Sequence, residues 1–249
     1  MAVLTLDFYS KELKMSTLLT MVTPDSTHIG EIPLCERKVL YLLHGLSDDA
    51  TSFLRLSRVE LFARDAGVTV VMPSVGRSMY CDDVNGQNYF SYVANELPEY
   101  LNLLMGVPKA RKLNSIAGIS MGALGAAKIA LTYPERFTEV GLFSGFIHPI
   151  AILPMLTEEQ RREFPFMMVK EEELKTTPLD PMNLLDPEKH KNLKITLRCG
   201  EQDDLYMMSV AFHKKANHLG LNVTANFEEG DHEWRLWDKY LEDFILGMK

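Results

Sequence analysis

Asn114–Pro134 reads NSIAGISMGALGAAKIALTYP, and this stretch decides the fold. Its opening residues, Asn114 to Gly118, form a short apolar run of the kind that makes a strand buried on both faces. Met121 to Leu131 is rich in small residues and suits a closely packed helix. Between them lies Gly118-Ile119-Ser120-Met121-Gly122, a G-x-S-x-G motif set at a strand–turn–helix junction, where it marks a nucleophile elbow. The chemistry explains both glycines. Ser120 must sit on a tight, strained turn for its hydroxyl to project into a cleft, and bulky side chains at 118 and 122 would strike the neighbouring strand and helix. A serine merely capping a helix is the alternative, and the strand before the motif with the helix after it argues against that. The Met121 N–H then points to where an acyl oxygen would gain charge, in the favourable field of a helix N-terminus.

Outward from this motif the chain alternates strand and helix. Strand-like runs are Lys38 to Leu43, Val68 to Met72, Glu139 to Phe143, Leu193 to Arg198 and Asn222 to Phe227. Helix-like segments are Arg58 to Ala66, Tyr89 to Leu104, Tyr206 to Leu219 and Trp234 to Leu246. Such alternation predicts an α/β architecture with a mainly parallel central sheet and helices on both faces. Two further runs, Ala2 to Tyr9 and Ser16 to Thr23, flank the polar stretch Ser10 to Lys14 and predict an antiparallel hairpin at the start. Pro24 to Glu36 reads as a loop. Ile147 to Lys191 breaks the rhythm with several prolines, charged EEQRRE and KEEEL, and no strand-like run. We read it as an excursion before the next strand, either a partial cap over the site or a surface insertion. A length of 249 residues fits one α/β domain spanning 1–249.

Three loops at the carboxyl ends of strands can supply the rest of a site, because ligands bind at that edge of an open α/β sheet. KVLYLLHGLSDD is an apolar strand running into His44-Gly45. The loop after such a strand carries the second oxyanion donor, and Gly45 leaves the Leu46 N–H as the candidate. A preorganised donor of this type is worth ~3 kcal/mol of transition-state stabilisation. His44 reads as a residue that fixes the loop, since its place in the chain order is wrong for a base. Acid and histidine should follow the serine in that order. NLKITLRCG leads into EQDDLY, which offers Glu201, Asp203 and Asp204, and NVTANFEE leads to GDHEW and His232. His28, His148, His190, His213 and His218 read as surface or structural histidines, none paired at metal-ligand spacing. Asp231 is poorly placed to orient its neighbour, because adjacent side chains on an extended chain diverge. Nothing in the physics of the sequence separates Asp203 from Asp204.

Composition narrows the function further. A net charge of −8, with basic clusters no longer than Lys109 to Lys112, argues against a nucleic-acid partner. Cys35, Cys81 and Cys199 are too few and too scattered for a disulfide framework or a metal site. No run approaches the ~18 apolar residues of a membrane span, and the N-terminus lacks the basic and apolar regions of a secretory leader. A reduced, cytoplasmic protein without a membrane partner is the expectation, needing neither metal nor organic cofactor.

The segments LLHGLSDDATSFL, VVMPSVGRSMYCD, YFSYVANELPEYL, AGISMGALGAAKIAL, RCGEQDDLY and GDHEWRLWDKYL together resemble the esterase D-like group. That group includes S-formylglutathione hydrolases and bacterial tributyrin esterases, and the match runs in order along nearly the whole chain. The resemblance implies an α/β-hydrolase fold and a serine carboxylesterase of short acyl chains, acetyl to butyryl, on a permissive alcohol. It places the acid three residues after the glycine of C-G-x-x-D, which selects Asp203. Ser120 would attack the carbonyl, His232 act as general base, Asp203 orient it, and the Leu46 and Met121 amides bind the oxyanion. Group members are often dimers or larger, so the resemblance also implies a homo-oligomer. Two departures weigh against the glutathione thioester. The chain has G-I-S-M-G-A-L-G where those hydrolases carry G-H-S-M-G-G-H-G, and SDDATS where they carry a cysteine. An S-formylglutathione hydrolase-type thioesterase is the nearest rival reading, and a non-catalytic binding scaffold a more distant one.

Tyr80, Tyr89 and Trp234 are candidates to line the alcohol side of the site, with ordinary core or rim aromatics as the alternative. Asp48 and Asp49 add charge to the oxyanion loop, where they would disfavour anionic substrates.

Overall fold

The computed structural model describes residues 1–25, 27, 30, 32–82, 87–151, 157–159 and 177–248. Eight strands build one sheet: β1 Ala2–Ser10, β2 Met15–Thr23, β3 Val39–Leu43, β4 Thr69–Pro73, β5 Asn114–Ile119, β6 Glu139–Phe143, β7 Lys194–Gly200 and β8 Val223–Glu228. Their spatial order is β1-β2-β4-β3-β5-β6-β7-β8. The opening hairpin pairs antiparallel, as its polar connection predicts, and β2 docks antiparallel on β4. From β4 onward every pairing is parallel. Each strand expected from the sequence is present, displaced by a residue or two at its ends.

The sheet's centre is dry on both sides, and β3 shows why. All five of its residues are buried. Val39, Tyr41 and Leu43 enter one core while Leu40 and Leu42 enter the other, following the two-residue period of a strand. Each such aliphatic side chain contributes roughly 1.5–3 kcal/mol on burial. The labelled helices are α1 Ser52–Leu56, α2 Val59–Ala66, α3 Leu97–Met105, α4 Met121–Thr132, α5 Tyr206–His218 and α6 Trp234–Gly247. The first core takes Leu97 and Leu101 of α3, the apolar residues of α4 and Phe212 of α5. The second takes Val59 and Phe62 of α2 with Trp237, Tyr240, Leu241, Phe244 and Ile245 of α6. Helix α1 had no counterpart in the sequence reading, because five residues are too few to show a period.

The segment read as one helix from Tyr89 to Leu104 contains a π-helical turn, Tyr92–Glu96, before α3. Pro98 cannot donate a backbone N–H. The Ala94 carbonyl four residues earlier accepts instead from Arg136 Nη1 at 2.7 Å. Of the excursion from Ile147 to Lys191, the described part holds a 3₁₀ turn, Pro181–Leu184, packed against α4, and the short helix Pro187–His190. Most of the remainder, and with it the cap reading, lies outside the described residues.

Candidate active site

Ser120 occupies the turn between β5 and α4 with φ 53° and ψ −118°, a conformation that costs an L-residue about 1–3 kcal/mol. The surroundings hold it there. Its N–H donates to the Phe143 carbonyl at the end of β6 at 2.9 Å, and its carbonyl accepts from the Phe146 N–H at 3.2 Å. The flanking glycines are required as the motif implied. A Cβ on Gly118 would lie 2.2 Å from the backbone of Gly122, and one on Gly122 would lie 2.0 Å from the Leu43 carbonyl oxygen. Both obstacles are backbone and cannot yield.

His232 stands on the loop between β8 and α6, and Asp203 on the loop after β7. His232 Nε2 is 3.1 Å from Ser120 Oγ, and His232 Nδ1 is 2.8 Å from Asp203 Oδ2. An ionised carboxylate only accepts, so Nδ1 carries the proton and Nε2 is left to accept from the serine hydroxyl. The two loops are laced together. Glu201 N–H donates to the Glu228 carbonyl, Gln202 N–H to the Gly230 carbonyl, and Gly230 N–H to Gln202 Oε1, at 2.7–3.0 Å. A Cβ on Gly200 would sit 2.2 Å from the Gly230 carbonyl oxygen, so the glycine of C-G-E-Q-D is what lets them meet.

Asp203 is 4% exposed, whereas Asp204 faces solvent, which separates the two aspartates that the residues alone left open. Burial pushes the Asp203 carboxyl up, but hydrogen bonds and charge outweigh it and leave the group below the ordinary carboxylate range. The downward contributions come from His232, from the Ser144 hydroxyl and from the Leu205 N–H, which donates to Oδ1 at 2.8 Å. Trp237 of α6 supports the imidazole from the side, its ring edge-on to His232 with centroids 4.8 Å apart. The sequence offered no signal for that contact beyond an apolar position on an amphipathic helix. Cys199, next to the acid loop, is buried and its thiol is pushed up to about 12 by desolvation and the Asp203 charge, which makes it a poor nucleophile.

Gly45 lies against Ser120, since a Cβ there would be 3.5 Å from Ser120 Cβ. Next in the chain after Ser120 is Met121, whose amide, first in α4, has no acceptor within the helix. His44 is tied at both nitrogens. Nδ1 donates to the Gly45 carbonyl at 2.8 Å and Nε2 accepts from the Val75 N–H at 3.0 Å. Burial holds its pKa below the ordinary histidine value, so it is a neutral strut for the loop.

The expected aromatic lining is partly corrected. Tyr80 is fully buried, its ring packed over Gly125 and its hydroxyl donating to the His44 carbonyl at 3.0 Å. It therefore braces the His44-Gly45 loop from behind and is closed off from the alcohol side. Tyr89 is half-buried and packs against the first core. Trp234, also half-buried, meets Trp237 at 5.2 Å and Phe53 at 5.5 Å, one ring removed from His232. Asp49 is spent on its own loop, accepting from Thr51 N–H and Oγ1 at 2.7 Å with Arg55 nearby. Asp48 is the carboxylate beside the site: its Oδ2 is 3.4 Å from where a Gly45 Cβ would stand, and burial raises its pKa. His190 bonds the Leu131 carbonyl and His148 the buried Asp180, while His28 lies outside the described residues. Among the described residues no group of three His, Cys, Asp or Glu converges as a metal site, and no helix is long and apolar enough to cross a membrane.

A mainly parallel eight-stranded sheet with an antiparallel hairpin at one edge, a serine elbow after β5 and a histidine after β8 defines an α/β-hydrolase. The chain belongs to the putative esterase family, whose model matches residues 33–247, and it is a carboxylic ester hydrolase. It is 28% identical to an acetyl esterase of Caldicellulosiruptor saccharolyticus in an alignment covering 100% of this chain and 98% of the relative. Among solved structures it is similar to FphF, a fluorophosphonate-binding serine hydrolase of Staphylococcus aureus determined with substrate bound. The TM-score is 0.89 at 28% identity, covering 99% of this chain and 98% of that one. It is also similar to the apoenzyme of an S-formylglutathione hydrolase, FrmB, from the same organism, with TM-score 0.86, 28% identity and the same coverage.

Proposed function

We propose that this protein hydrolyses short-chain acyl esters, acetyl to butyryl, through an acyl-serine intermediate formed on Ser120. The reading is carried by one observation, the hydrogen-bonded run from Ser120 Oγ through His232 to the buried carboxylate of Asp203 at 3.1 and 2.8 Å. His232 takes the hydroxyl proton as Ser120 attacks the carbonyl carbon. Asp203 holds the ring and stabilises its charged form. The N–H groups of Leu46 and Met121 receive the oxyanion. On collapse His232 returns the proton to the leaving alcohol, then takes one from water as it attacks the acyl-serine. The short acyl preference rests on the resemblance to tributyrin esterases and on the acetyl esterase relative. Trp234 is retained as a wall of the site because it packs on the ring that supports His232. A cytoplasmic, homo-oligomeric protein is part of the same reading.

The test is hydrolysis of p-nitrophenyl esters from C2 to C12 by wild type and Ser120→Ala. Turnover concentrated at C2 to C4 and abolished in the variant is expected. Activity that survives the substitution overturns the nucleophile. A second reading, thioester hydrolysis of S-formylglutathione, is favoured by the likeness to the Staphylococcus aureus hydrolase of that name. A kcat/KM on that thioester exceeding the value on p-nitrophenyl acetate would promote it.

A further inference from the structure

Away from the proposed site, Lys128 of α4 is 4% exposed, with its ammonium facing inward. Nζ donates to the Tyr80 carbonyl at 2.7 Å, lies 3.0 Å from Cys81 Sγ and stands 5.5 Å above the Phe90 ring. Among the described residues no carboxylate pairs with it. The nearby Asp82 is engaged instead with Ser91, accepting from its N–H at 2.9 Å and its Oγ at 2.7 Å. A buried ammonium without an anionic partner is costly, and ester hydrolysis as derived above makes no use of it. Cys81 is 8% exposed, and Sγ is fixed by its own contact to the Met79 carbonyl at 3.3 Å. Met79 and Tyr80 just before it both hold left-handed conformations, with φ 53° and 52°. An ammonium and a thiol are thus held within hydrogen-bonding distance, Nζ donating to Sγ at 3.0 Å.

We propose that Cys81 and Lys128 form an oxidation site, at which a peroxide joins Sγ covalently to Nζ. Cys81 thiol attacks one peroxide oxygen, giving the sulfenic acid and one water, with sulfur oxidised by two electrons and the O–O bond reduced. The Lys128 ammonium gives one proton to solvent, and the resulting amine attacks that sulfur, passing a second proton to the departing hydroxide. An S–N bond forms, the S–O bond breaks and a second water leaves, so the linked pair is about 2 Da lighter than the separate side chains. At 3.0 Å the nitrogen is placed to intercept the sulfenic acid before further oxidation. The bond ties α4 to the loop whose Tyr80 holds the His44 carbonyl.

The test treats the purified protein with hydrogen peroxide and maps tryptic peptides by mass spectrometry before and after dithiothreitol. The exposed Cys35 serves as an internal gauge of oxidant dose. Expected is a reducible species joining residues 78–109 to residues 113–136, about 2 Da lighter than the two peptides together. It should be absent from Cys81→Ser and Lys128→Arg. Retention of the oxygen between the two atoms consumes a second peroxide, leaves the pair about 14 Da heavier and supports the same site. Recovery of Cys81 as free thiol or as unlinked sulfinic acid, once Cys35 is oxidised, overturns the proposal. The wild-type map decides this whether or not the variants fold.

Discussion

Replacing Asp203 with Asn tests the proposed mechanism at its least forgiving point, because both carboxylate oxygens accept from fixed donors. Oδ1 takes the Leu205 N–H and Oδ2 takes His232 Nδ1–H, each at 2.8 Å. An amide has one accepting and one donating end. If its NH2 faces His232, the ring must accept at Nδ1 and carry its proton at Nε2, where it cannot take one from Ser120. If the NH2 faces Leu205, two donors meet in a buried space and the fold loses about 1–3 kcal/mol. Asp203→Asn cannot satisfy Leu205 and keep the proton on His232 Nδ1 at once. In the first arrangement we expect kcat to fall by about 10³–10⁴, or roughly 4–5.5 kcal/mol at the transition state, the scale of a triad with the wrong tautomer. The assay is p-nitrophenyl acetate hydrolysis at pH 7, with thermal denaturation alongside to detect the second arrangement. Asp204→Asn is the control, and its solvent-facing side chain predicts a rate within about twofold of wild type. More than a tenth of wild-type kcat in Asp203→Asn, with unchanged thermal stability, would refute the assignment of the acid.

Tyr80→Phe removes the donor to the buried His44 carbonyl and should cost about 1–3 kcal/mol in stability, with kcat reduced several-fold and KM little changed. A change confined to KM would instead return Tyr80 to the substrate. Gly122→Ala drives a methyl into the Leu43 carbonyl at 2.0 Å, so a destabilisation of about 3 kcal/mol or more is expected, and an unaltered Tm would contradict the elbow's packing. Neutralising Asp48, not Asp49, should raise the relative rate on esters of acidic alcohols, read as the kcat/KM ratio of acidic to neutral substrates in Asp48→Asn and Asp49→Asn. Because the Asp203 carboxyl is depressed in the fold, its ionised form stabilises the protein above the ordinary carboxylate range. That contribution is lost as pH falls below about 4 through the folded pKa. Asp203→Asn should therefore flatten the acid limb of the stability–pH curve, and an unchanged limb would deny the coupling.

The elements legible in the residues are those whose constraint is local. G-I-S-M-G announces the elbow because only glycine tolerates the backbone contacts at 118 and 122, and the strand before it with the helix after it are near neighbours in the chain. The buried runs of β3 to β7 are legible for the same reason, as is the chain order that sets Asp203 and His232 after Ser120. What those residues do not encode locally, the tertiary structure decided. The excursion of β2 to pair with β4 depends on which edge the hairpin reaches, and no periodicity reports that. The residues alone could not rank Asp203 over Asp204, because the difference is burial and a partner 29 positions away. Tyr80 reads in the sequence as a candidate for the alcohol side, with a core or rim aromatic as the alternative, and the choice falls to the core only when the fold places Gly125 under its ring and His44 at its hydroxyl. Trp237 behind His232, and Lys128 against Cys81, arise in the same way, from helices that bring a side chain to a loop outside their own segment. Local backbone chemistry is written in neighbouring residues, whereas the pairing of distant side chains exists only once the sheet has closed the distance between them.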